Sequence, residues 1–317
     1  MNSITADRVL HKDRQHMVVV AIPCHNEAST IAKVVRDFQV ALPQAEVHVF
    51  DNQSIDGSAE LAAQAGAKVH YVHRRGKGRV MRAILDSITA DALVIVDGDD
   101  TYYAEDAAQL VVPVLQGEVD MVVGNRLDRA STEALNQLHL VGNHMIVTLI
   151  NKLFGVACRD ILSGYRVLNR RLVETICLLS PGFETETELT VRALAEDMVI
   201  TEMPVSYRAR PAGSESKLRT FHDGYRILRA ALVLLRDLYP MRLFGLIGLF
   251  CYSFVAGAGL LRLLVYAEWL HISTALLTGL ILLFAPLGFL AFGMGLFLDA
   301  VNSHFRALSE TIRRKKI

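Results

Sequence analysis

Short apolar runs alternate with amphipathic stretches along the N-terminal third of the chain. The apolar runs predict four strands, at Met17–Ile22, Val47–Phe50, Lys68–Val72 and Leu93–Val96. Pro23 follows the first run, and we expect it to end that strand. Apolar residues at helical spacing predict helices over Ala28–Val40, Ala59–Ala65 and Gly78–Thr89. This alternation is typical of an α/β fold with a mostly parallel sheet and helices on both faces.

A polar motif follows each of the four predicted strands. In chain order the motifs read PCHNE, DNQSIDG, HRRGKG and DGDDTY. Ligands bind beyond the carboxyl ends of the strands in sheets of this kind. The sequence therefore predicts that the four loops together form one binding site.

Three carboxylates end the fourth predicted strand, at Asp97, Asp99 and Asp100. Carboxylates that are clustered in this way repel one another unless a cation joins them. Carboxylate oxygens suit Mg²⁺ or Mn²⁺, which commonly bridge to substrate phosphates. The cluster therefore predicts a divalent-metal site for a phosphorylated ligand, and a turn with solvated aspartates is the alternative.

The other loops carry groups that a nucleoside diphosphate requires. Lys77 lies between two glycines at a strand-to-helix turn and is able to reach a diphosphate. Asp51 follows a buried strand and could accept hydrogen bonds from a base or ribose, and PCHNE leads into a helix whose amides favour anions. Turn and cap chemistry is the alternative for Asp51 and Asp56, and a solvated basic loop is the alternative for HRRGKG.

Two uncharged segments near the C-terminus, Leu243–Leu261 and Ile272–Leu298, have 19 and 27 residues. Each is long enough to cross a hydrocarbon core of about 30 Å. Arginines precede the first segment, and Arg306 with the RRKK run follows the second, which predicts cytoplasmic flanks and an external connector. Two buried core helices are the alternative.

The division that follows has four parts. It comprises a catalytic domain over 1–206, an amphipathic juxtamembrane region over 207–241, two transmembrane helices within 242–300 (about 243–266 and 272–298), and a basic tail over 301–317. In the juxtamembrane region, Arg226, Arg229 and Arg236 alternate with apolar residues at helical spacing. This pattern fits a helix at an anionic membrane surface, or one packed on the catalytic domain, or both.

The net charge, the cysteine spacing and the N-terminal residues limit the partners, the metal or disulfide sites and the location to be expected. The formal net charge is zero, which gives no reason to expect a nucleic acid partner. Cys24, Cys158, Cys177 and Cys251 lack CxxC spacing, so we expect reduced and mostly buried thiols. The first sixteen residues contain no apolar signal region, so we expect the large N-terminal part to stay in the cytoplasm.

The ordered motifs IPCHNE, DNQSIDG, GKG and DGDDTY resemble those of the family 2 glycosyltransferases. Further along, DMVVGNR, DILSGYRVLNR, GFETETEL and SKLRTFHDGYRIL are similar to the polyprenyl-phosphate branch, which includes the dolichol-phosphate mannose synthases. The resemblance covers residues 17–240. It implies a Rossmann-like GT-A fold and inverting, metal-dependent transfer of one sugar to a polyprenyl phosphate at the cytoplasmic membrane face.

The resemblance also implies roles for particular residues. The nucleotide sugar would contact Pro23, Asn26, Glu27, Asp51, Asp56, Lys77 and Asp97. Asp99, with Asp97, would hold Mg²⁺ or Mn²⁺. The acceptor phosphate would contact Arg126, Ser163 and Arg166, and the catalytic set would be Asp97, Asp99, Arg126 and Arg166. An arginine fork suits phosphate oxygens, although an ordinary salt bridge to Asp120 or Asp160 is the alternative for both arginines.

The resemblance further implies a UDP-sugar donor, with GDP-mannose as the alternative, and a homo-oligomer. Asp100 departs from the branch, which commonly has glycine there, and adds a carboxylate beside the metal pair. One of Glu184, Glu186 and Glu188 could orient the acceptor or the sugar, whereas a solvated helix start explains these acids equally well. The rival functions are transfer to a glycan or glycolipid, a catalytically silent membrane scaffold, and a nucleotide-sugar pyrophosphorylase.

Overall fold

The computed structural model describes residues 16–127, 147–155, 158–182, 184–211 and 220–314. The chain divides into two compact units, residues 1–230 and 231–317. The first unit contains the predicted α/β fold, and the second contains the predicted membrane segments.

Seven strands of the first unit form one sheet. They are β1 Val18–Cys24, β2 Glu46–Asp51, β3 Lys68–Tyr71, β4 Ala92–Ile95, β5 Met121–Asn125, β6 Arg166–Asn169 and β7 Ile200–Pro204. Their order is β3-β2-β1-β4-β6-β5-β7, and β6 alone among them runs antiparallel to its neighbours. The predicted α/β fold with a mostly parallel sheet is therefore confirmed.

Helices cover both faces of this sheet. They are α1 Ile31–Ala41, α2 Ser58–Gln64, α3 Lys77–Ser87, α4 Ala107–Leu115, α5 Arg170–Thr175 and α6 Thr185–Ala195, with a 3-10 turn at Ala104–Asp106 and a helical segment over 147–154. Side chains alternate along β1, so that Ile22 packs in a core with α1 and α4 whereas Ala21 packs in a second core with α3 and α6. The sheet is thereby buried on both faces, as its nearly continuous apolar strands require.

The prediction that Pro23 ends the first strand is wrong. β1 continues to Cys24, and Pro23 pairs with Phe50 of β2. Proline lacks an N–H, but the Pro23 backbone faces the β4 side, where the ladder ends at Ala21. The strand therefore loses no ladder hydrogen bond at this position.

The cysteines agree with the expectation of free thiols. Cys24, Cys158 and Cys251 are buried, and Cys177 is exposed. The Cys158 thiol donates to Glu202 Oε1 over 2.9 Å. Burial, followed by the Glu202 carboxylate, raises the pKa of this thiol, so it stays protonated at neutral pH.

Three helices make up the rest of the described chain. α7 spans Thr220–Leu238 and crosses the boundary between the units, α8 spans Pro240–Tyr266 and α9 spans Thr274–Arg314. α8 and α9 are both long and apolar enough to cross a membrane, and 17% of the apolar window of each is buried. Such low burial argues against the alternative of two core helices. α9 is also longer than the predicted second span, because the helix continues through most of the expected tail.

Close packing joins α8 to α9 within the second unit. A Cβ at Gly248 would lie 2.6 Å from ring atoms of Phe292, so this glycine permits the two helices to approach. Arg262 Nη1 donates to Thr278 Oγ1 over 3.1 Å near the connector between the helices. The two helices therefore form an antiparallel hairpin.

Candidate active site

Two carboxylates at the end of β4 face basic side chains from other parts of the first unit. Asp97 Oδ1 lies 2.7 Å from Lys77 Nζ. Asp99 Oδ2 lies 2.6 Å from Arg210 Nη2, and Asp99 Oδ1 accepts hydrogen bonds from the amide and the hydroxyl of Thr101. The turn is therefore not a set of solvated aspartates, because Asp99 is buried and both carboxylates have cationic partners.

Lys77 joins two carboxylates. Its ammonium lies 2.7 Å from Asp97 Oδ1 and 2.7 Å from Glu186 Oε1. Burial lowers the pKa of Lys77, but the two carboxylates outweigh it and raise this pKa well above its usual range. Burial likewise raises the pKa of Asp97, but Lys77, then Arg126 and Arg210, lower it below its ordinary value. Lys77 and Asp97 are therefore both ionised at neutral pH.

Glycines let the Lys77 loop approach a neighbouring chain segment. Gly76 has a φ of 133°, which favours glycine, and Gly78 N donates to Pro181 O over 3.1 Å. A Cβ on Gly78 would overlap the carbonyl oxygen of Ser180. The contact fixes the position of Lys77 between its two partners.

The Gly78→Ala variant is expected to lower the rate of sugar transfer about 100-fold, since a misplacement of roughly 1 Å near reacting groups has that effect. The added methyl group must push the Lys77 loop away from Ser180. Transfer assays and melting curves of the purified variant measure the effect. Gly257→Ala in α8, where a Cβ meets no atom within 4 Å, is the matched control. A Gly78→Ala enzyme as active as the control would contradict this role.

The acids at the start of α6 are buried, so the alternative of a solvated helix start is wrong. Glu184, Glu186 and Glu188 are 7%, 3% and 1% exposed. Glu188 accepts hydrogen bonds from the amides of Leu179 and Ser180, and it pairs with Arg192. Glu188 thus holds the segment against which the Lys77 loop packs, and Glu186 contacts Lys77 itself.

The PCHNE and DNQSIDG loops are tied to each other by side chains. Asn26 Oδ1 accepts from the amide of Ile55 over 3.0 Å, and Asp56 Oδ2 accepts from the amide of Ala28 over 3.0 Å. Asp56 also accepts from the amide and the hydroxyl of Ser58. The described contacts of Asn26 and Asp56 are therefore those of turn and cap residues.

Asp51 is the first residue of the DNQSIDG loop and is buried. Its Oδ2 accepts from the amide of Ser54 over 3.2 Å, whereas its Oδ1 is buried with no hydrogen-bond partner among the described residues. A buried carboxylate oxygen without a donor costs free energy, which a ligand N–H or O–H could recover. Pro23 lies on the adjacent strand, and the Glu27 carboxylate lies under the β4 turn, against Gly98.

Arg126 is held by Asp160 in a two-pronged ion pair. Arg126 Nε donates to Asp160 Oδ2 over 2.8 Å, and Arg126 Nη2 donates to Asp160 Oδ1 over 2.7 Å. The Arg126 guanidinium lies 5.5 Å from the centre of the Tyr207 ring. The structure thus contains the salt bridge to Asp160 that is the alternative to a phosphate contact, and this bridge fixes the orientation of the guanidinium.

Arg166 is completely buried and supports the loop that carries Ser163. Arg166 Nε donates to Ser163 O over 3.0 Å, Nη2 to Ile161 O over 2.6 Å, and Nη1 to Thr190 Oγ1 over 2.8 Å. Burial lowers the pKa of Arg166. These contacts favour a positioning role, and direct contact with a phosphate stays a prediction.

The loop with Ser163 borders the carboxylate turn. Ser163 Oγ lies 3.3 Å from the Tyr102 hydroxyl, which also accepts from the amide of Gly164 over 3.1 Å. A Cβ on Gly164 would overlap Asp97 Oδ2. Asp97, Lys77, Arg126 and Ser163 are thus brought to one end of the sheet.

Four residues of the site were not identified from the sequence: Lys33, Tyr102, Arg208 and Arg210. Arg208 and Arg210 lie after β7, where Arg208 contacts Asp100 and Arg210 contacts Asp99. Lys33 also contacts Asp100. Tyr102 links the carboxylate turn to the Ser163 loop. The YRARP sequence carries the only usable signal, since arginines two residues apart in an extended segment point to the same side. It does not indicate which acids they meet.

The carboxylates suit a divalent cation. Among the described residues no group of three or more His, Cys, Asp or Glu side chains could hold a metal. Mg²⁺ is commonly bound through one or two carboxylates together with substrate phosphates, so a larger protein cluster is not required. Asp99 is buried and Asp97 lies two residues before it, so these two carboxylates could hold such an ion together with substrate phosphates.

Comparisons with known proteins identify the family of this chain. Residues 19–177 match the family described as Glycosyl transferase family 2. Glycosyltransferase AglJ of Haloferax volcanii is 36% identical over 253 residues, which cover 80% of this chain and 82% of the relative. Polyprenol monophosphomannose synthase of Mycolicibacterium smegmatis is 29% identical over 209 residues, which cover 62% of this chain and 78% of the relative.

A solved structure shares the fold. Glucosyl-3-phosphoglycerate synthase from Mycobacterium tuberculosis, in complex with Mn²⁺, UDP-glucose and phosphoglyceric acid, aligns with a TM-score of 0.55 and 20% sequence identity. The alignment covers 70% of this chain and 79% of that one. With the family match over half of the chain and the similarity to AglJ, these results show that the chain belongs to glycosyl transferase family 2 and is a glycosyltransferase.

Proposed function

We propose that this glycosyltransferase moves one sugar, with inversion, from a nucleoside diphosphate sugar to a polyprenyl phosphate at the cytoplasmic face of a membrane. The observation that carries the proposal is that one chain contains the catalytic unit and two helices apolar enough to span a bilayer. A water-soluble acceptor needs no such helices, whereas a polyprenyl chain stays in the bilayer. The similarity to polyprenol monophosphomannose synthase supports the same acceptor class.

The donor end of the site is formed by the loops after β1, β2 and β3. The buried Asp51 Oδ1, which has no hydrogen-bond partner among the described residues, supports a ligand that presents N–H or O–H groups, such as a base or ribose. Pro23, Asn26, Glu27 and Asp56 would shape this end. A UDP-sugar is the favoured donor and GDP-mannose is the alternative, since the fold neighbour was solved with UDP-glucose.

Asp99, with Asp97, would hold Mg²⁺ or Mn²⁺, which neutralises the developing charge of a leaving nucleoside diphosphate. Lys77 links Asp97 and Glu186 beside this position. The lysine orients both carboxylates. Glu186 would accept a hydrogen bond from a sugar hydroxyl.

The acceptor end is formed by Arg126 and the Ser163 loop. Asp160 orients the Arg126 guanidinium, and Arg166 supports the loop from beneath through backbone carbonyls. Sugar hydroxyls usually need a general base, but a phosphate oxygen is already anionic at neutral pH. These residues therefore need only align the acceptor oxygen with the anomeric carbon.

The membrane arrangement belongs to the same proposal. Arg226, Arg229 and Arg236 are exposed on α7, and Leu228 and Leu232 are exposed apolar residues of the same helix. A helix of this kind suits an anionic membrane surface. By the positive-inside tendency, the arginines before α8 favour cytoplasmic helix flanks and a cytoplasmic catalytic unit. A homo-oligomer in the cytoplasmic membrane completes the proposal.

The Arg126→Lys variant is expected to raise the KM for undecaprenyl phosphate about tenfold, with little change in the donor KM. Lysine keeps a charge beside the buried Asp160 but cannot donate from two nitrogens to both of its oxygens. Steady-state kinetics with each substrate varied in turn measure the split. Arg159→Lys, at an exposed neighbour of Asp160, is the control. A rise in the donor KM alone would show that Arg126 does not serve the acceptor.

The runner-up function is transfer to a glycan or a glycolipid by the same catalytic unit. The deciding experiment incubates the detergent-purified protein with radiolabelled nucleotide sugars and undecaprenyl phosphate. We expect one donor to give a lipid product that mild acid cleaves, because the sugar is joined through a phosphate. An acid-stable glycoside would favour the runner-up, and no transfer with any donor or acceptor would favour a silent scaffold.

A further inference from the structure

Asp100 adopts a backbone conformation that side chains other than glycine rarely take. Its φ is 59°, in the left-handed region, and the residue is 7% exposed. Aspartate enters this region more readily than most residues with a Cβ, whereas glycine enters it without steric cost. The contacts of Asp100 show what holds it there.

The Asp100 carboxylate contacts two cations away from the Asp97–Lys77 pair. Asp100 Oδ1 lies 2.9 Å from Lys33 Nζ on α1, and it accepts a short hydrogen bond from Arg208 Nη2. Arg208 Nε also donates to the Asp100 carbonyl oxygen over 2.6 Å. Asp100 is thus held through both its side chain and its backbone, chiefly by Arg208.

Arg208 joins the carboxylate turn to the segment after β7. The Arg208 amide donates to Thr101 O over 3.0 Å, and its guanidinium lies 4.4 Å from the centre of the Tyr103 ring. An antiparallel bridge between Tyr102 and Tyr207 continues this pairing. The turn and the segment therefore form one locally paired unit.

This pairing determines where Arg210 lies. In an extended segment, residues two apart point to the same side, so that anchoring Arg208 directs Arg210 toward the turn. Arg210 Nη2 lies 2.6 Å from Asp99 Oδ2. Successive acids of the turn are therefore matched by alternate arginines of the segment.

We propose that Asp100 is a positioning residue for sugar transfer, which holds Arg210 beside Asp99 by clamping Arg208. The role rests on the proposed function, because Asp99 and Arg210 border the place where the donor diphosphate would lie. Asp100 therefore acts on donor binding through Arg208 and is not a third metal ligand.

The test is a double-mutant cycle with Asp100→Gly and Arg208→Gln. Glycine accepts the φ of Asp100 without strain, so the first variant removes the carboxylate and relieves the backbone. Arg208→Gln removes the other partner of the Asp100–Arg208 contact. Melting curves show whether each variant folds, and Arg208→Gln still tests the role if Asp100→Gly does not fold. Glu174→Gln, in the exposed pair with Arg170, is the control.

Calorimetry with UDP and, separately, GDP in saturating Mn²⁺ gives the dissociation constant for each full-length variant in detergent. We expect each single variant to bind the nucleotide about tenfold more weakly, and the double variant to bind no more weakly than either, since the two residues act as a unit. The KM for undecaprenyl phosphate should not change.

Three outcomes would overturn the role. If the native protein binds a nucleotide and both single variants bind it equally well, the positioning role of Asp100 is wrong but the proposed function stands. Weaker binding in Asp100→Gly that Arg208→Gln does not reproduce would make Asp100 a direct ligand. Failure of the native protein to bind either nucleotide would overturn the proposed function together with this role.

Discussion

Replacing Asp99 with asparagine is expected to lower the rate of sugar transfer by about a thousandfold or more. Asparagine is nearly isosteric and can still accept from Thr101, so the turn should keep its shape. It lacks the negative charge that a divalent cation requires, and it leaves Arg210 without its carboxylate partner. The measurement is radiolabelled sugar transfer in saturating Mn²⁺.

Asp86→Asn, at an exposed position of α3, is the matched control, because it makes the same chemical change away from the turn. Melting curves of both variants separate loss of chemistry from loss of fold. An Asp99→Asn enzyme with near-native transfer in Mg²⁺ or Mn²⁺ would disprove the metal assignment.

The Lys77→Met variant is expected to lose sugar transfer and to melt roughly 5–10 °C below the native protein, since removing one partner of a buried ion pair is strongly destabilising. The change leaves Asp97 and Glu186 facing each other with no ammonium between them. Adding Glu186→Gln should recover part of the melting temperature, because one of the two charges is then gone. It should not recover transfer. A Lys77→Met protein that melts with the native one would contradict the buried cluster.

The defect of Lys77→Met should also depend on pH. In the native protein, burial raises the pKa of Asp97, but the opposing effect of its cationic neighbours, chiefly Lys77, is larger, so the net shift of this pKa is downward. The ionised Asp97 therefore stabilises the fold until the pH falls below about 4. In the Lys77→Met variant, only Arg126 and Arg210 remain to lower the pKa of Asp97. Burial then has a larger relative effect, so the pKa of Asp97 rises and the folded state favours the protonated acid more. The gap in melting temperature between the two proteins should therefore narrow as the pH falls from about 8 to about 5. A gap that widens would show that the carboxylates are not the source of the defect.

Sequence reasoning located the loops because each of their signals is local. A short apolar run that ends in DGDDTY or HRRGKG predicts both the strand and the edge of the sheet where its polar residues lie. Parallel pairing then brings Asp51, Lys77 and Asp97 to the same edge without further information. The two membrane-length helices follow equally directly from segments without charge.

The residue pairings within the site were not predictable in the same way. Arg208 and Asp100 are 108 residues apart in the chain, and no local pattern couples them. β7 (ITEMP) lacks an alternating pattern, so the segment that follows it could not be placed. The buried guanidinium of Arg166 donates to two backbone carbonyl oxygens, those of Ser163 and Ile161. Such backbone partners are not apparent from the identity of the side chains in the sequence.

The central claim is that a divalent cation and the donor diphosphate meet where β4 ends. Electron paramagnetic resonance of Mn²⁺, titrated into the native protein and into Asp99→Asn with UDP or GDP present, tests it most directly. The account predicts that the native protein removes Mn²⁺ from solution when the correct nucleotide is present, and that Asp99→Asn does not. Equal Mn²⁺ binding by both proteins would place the cation elsewhere and contradict the account.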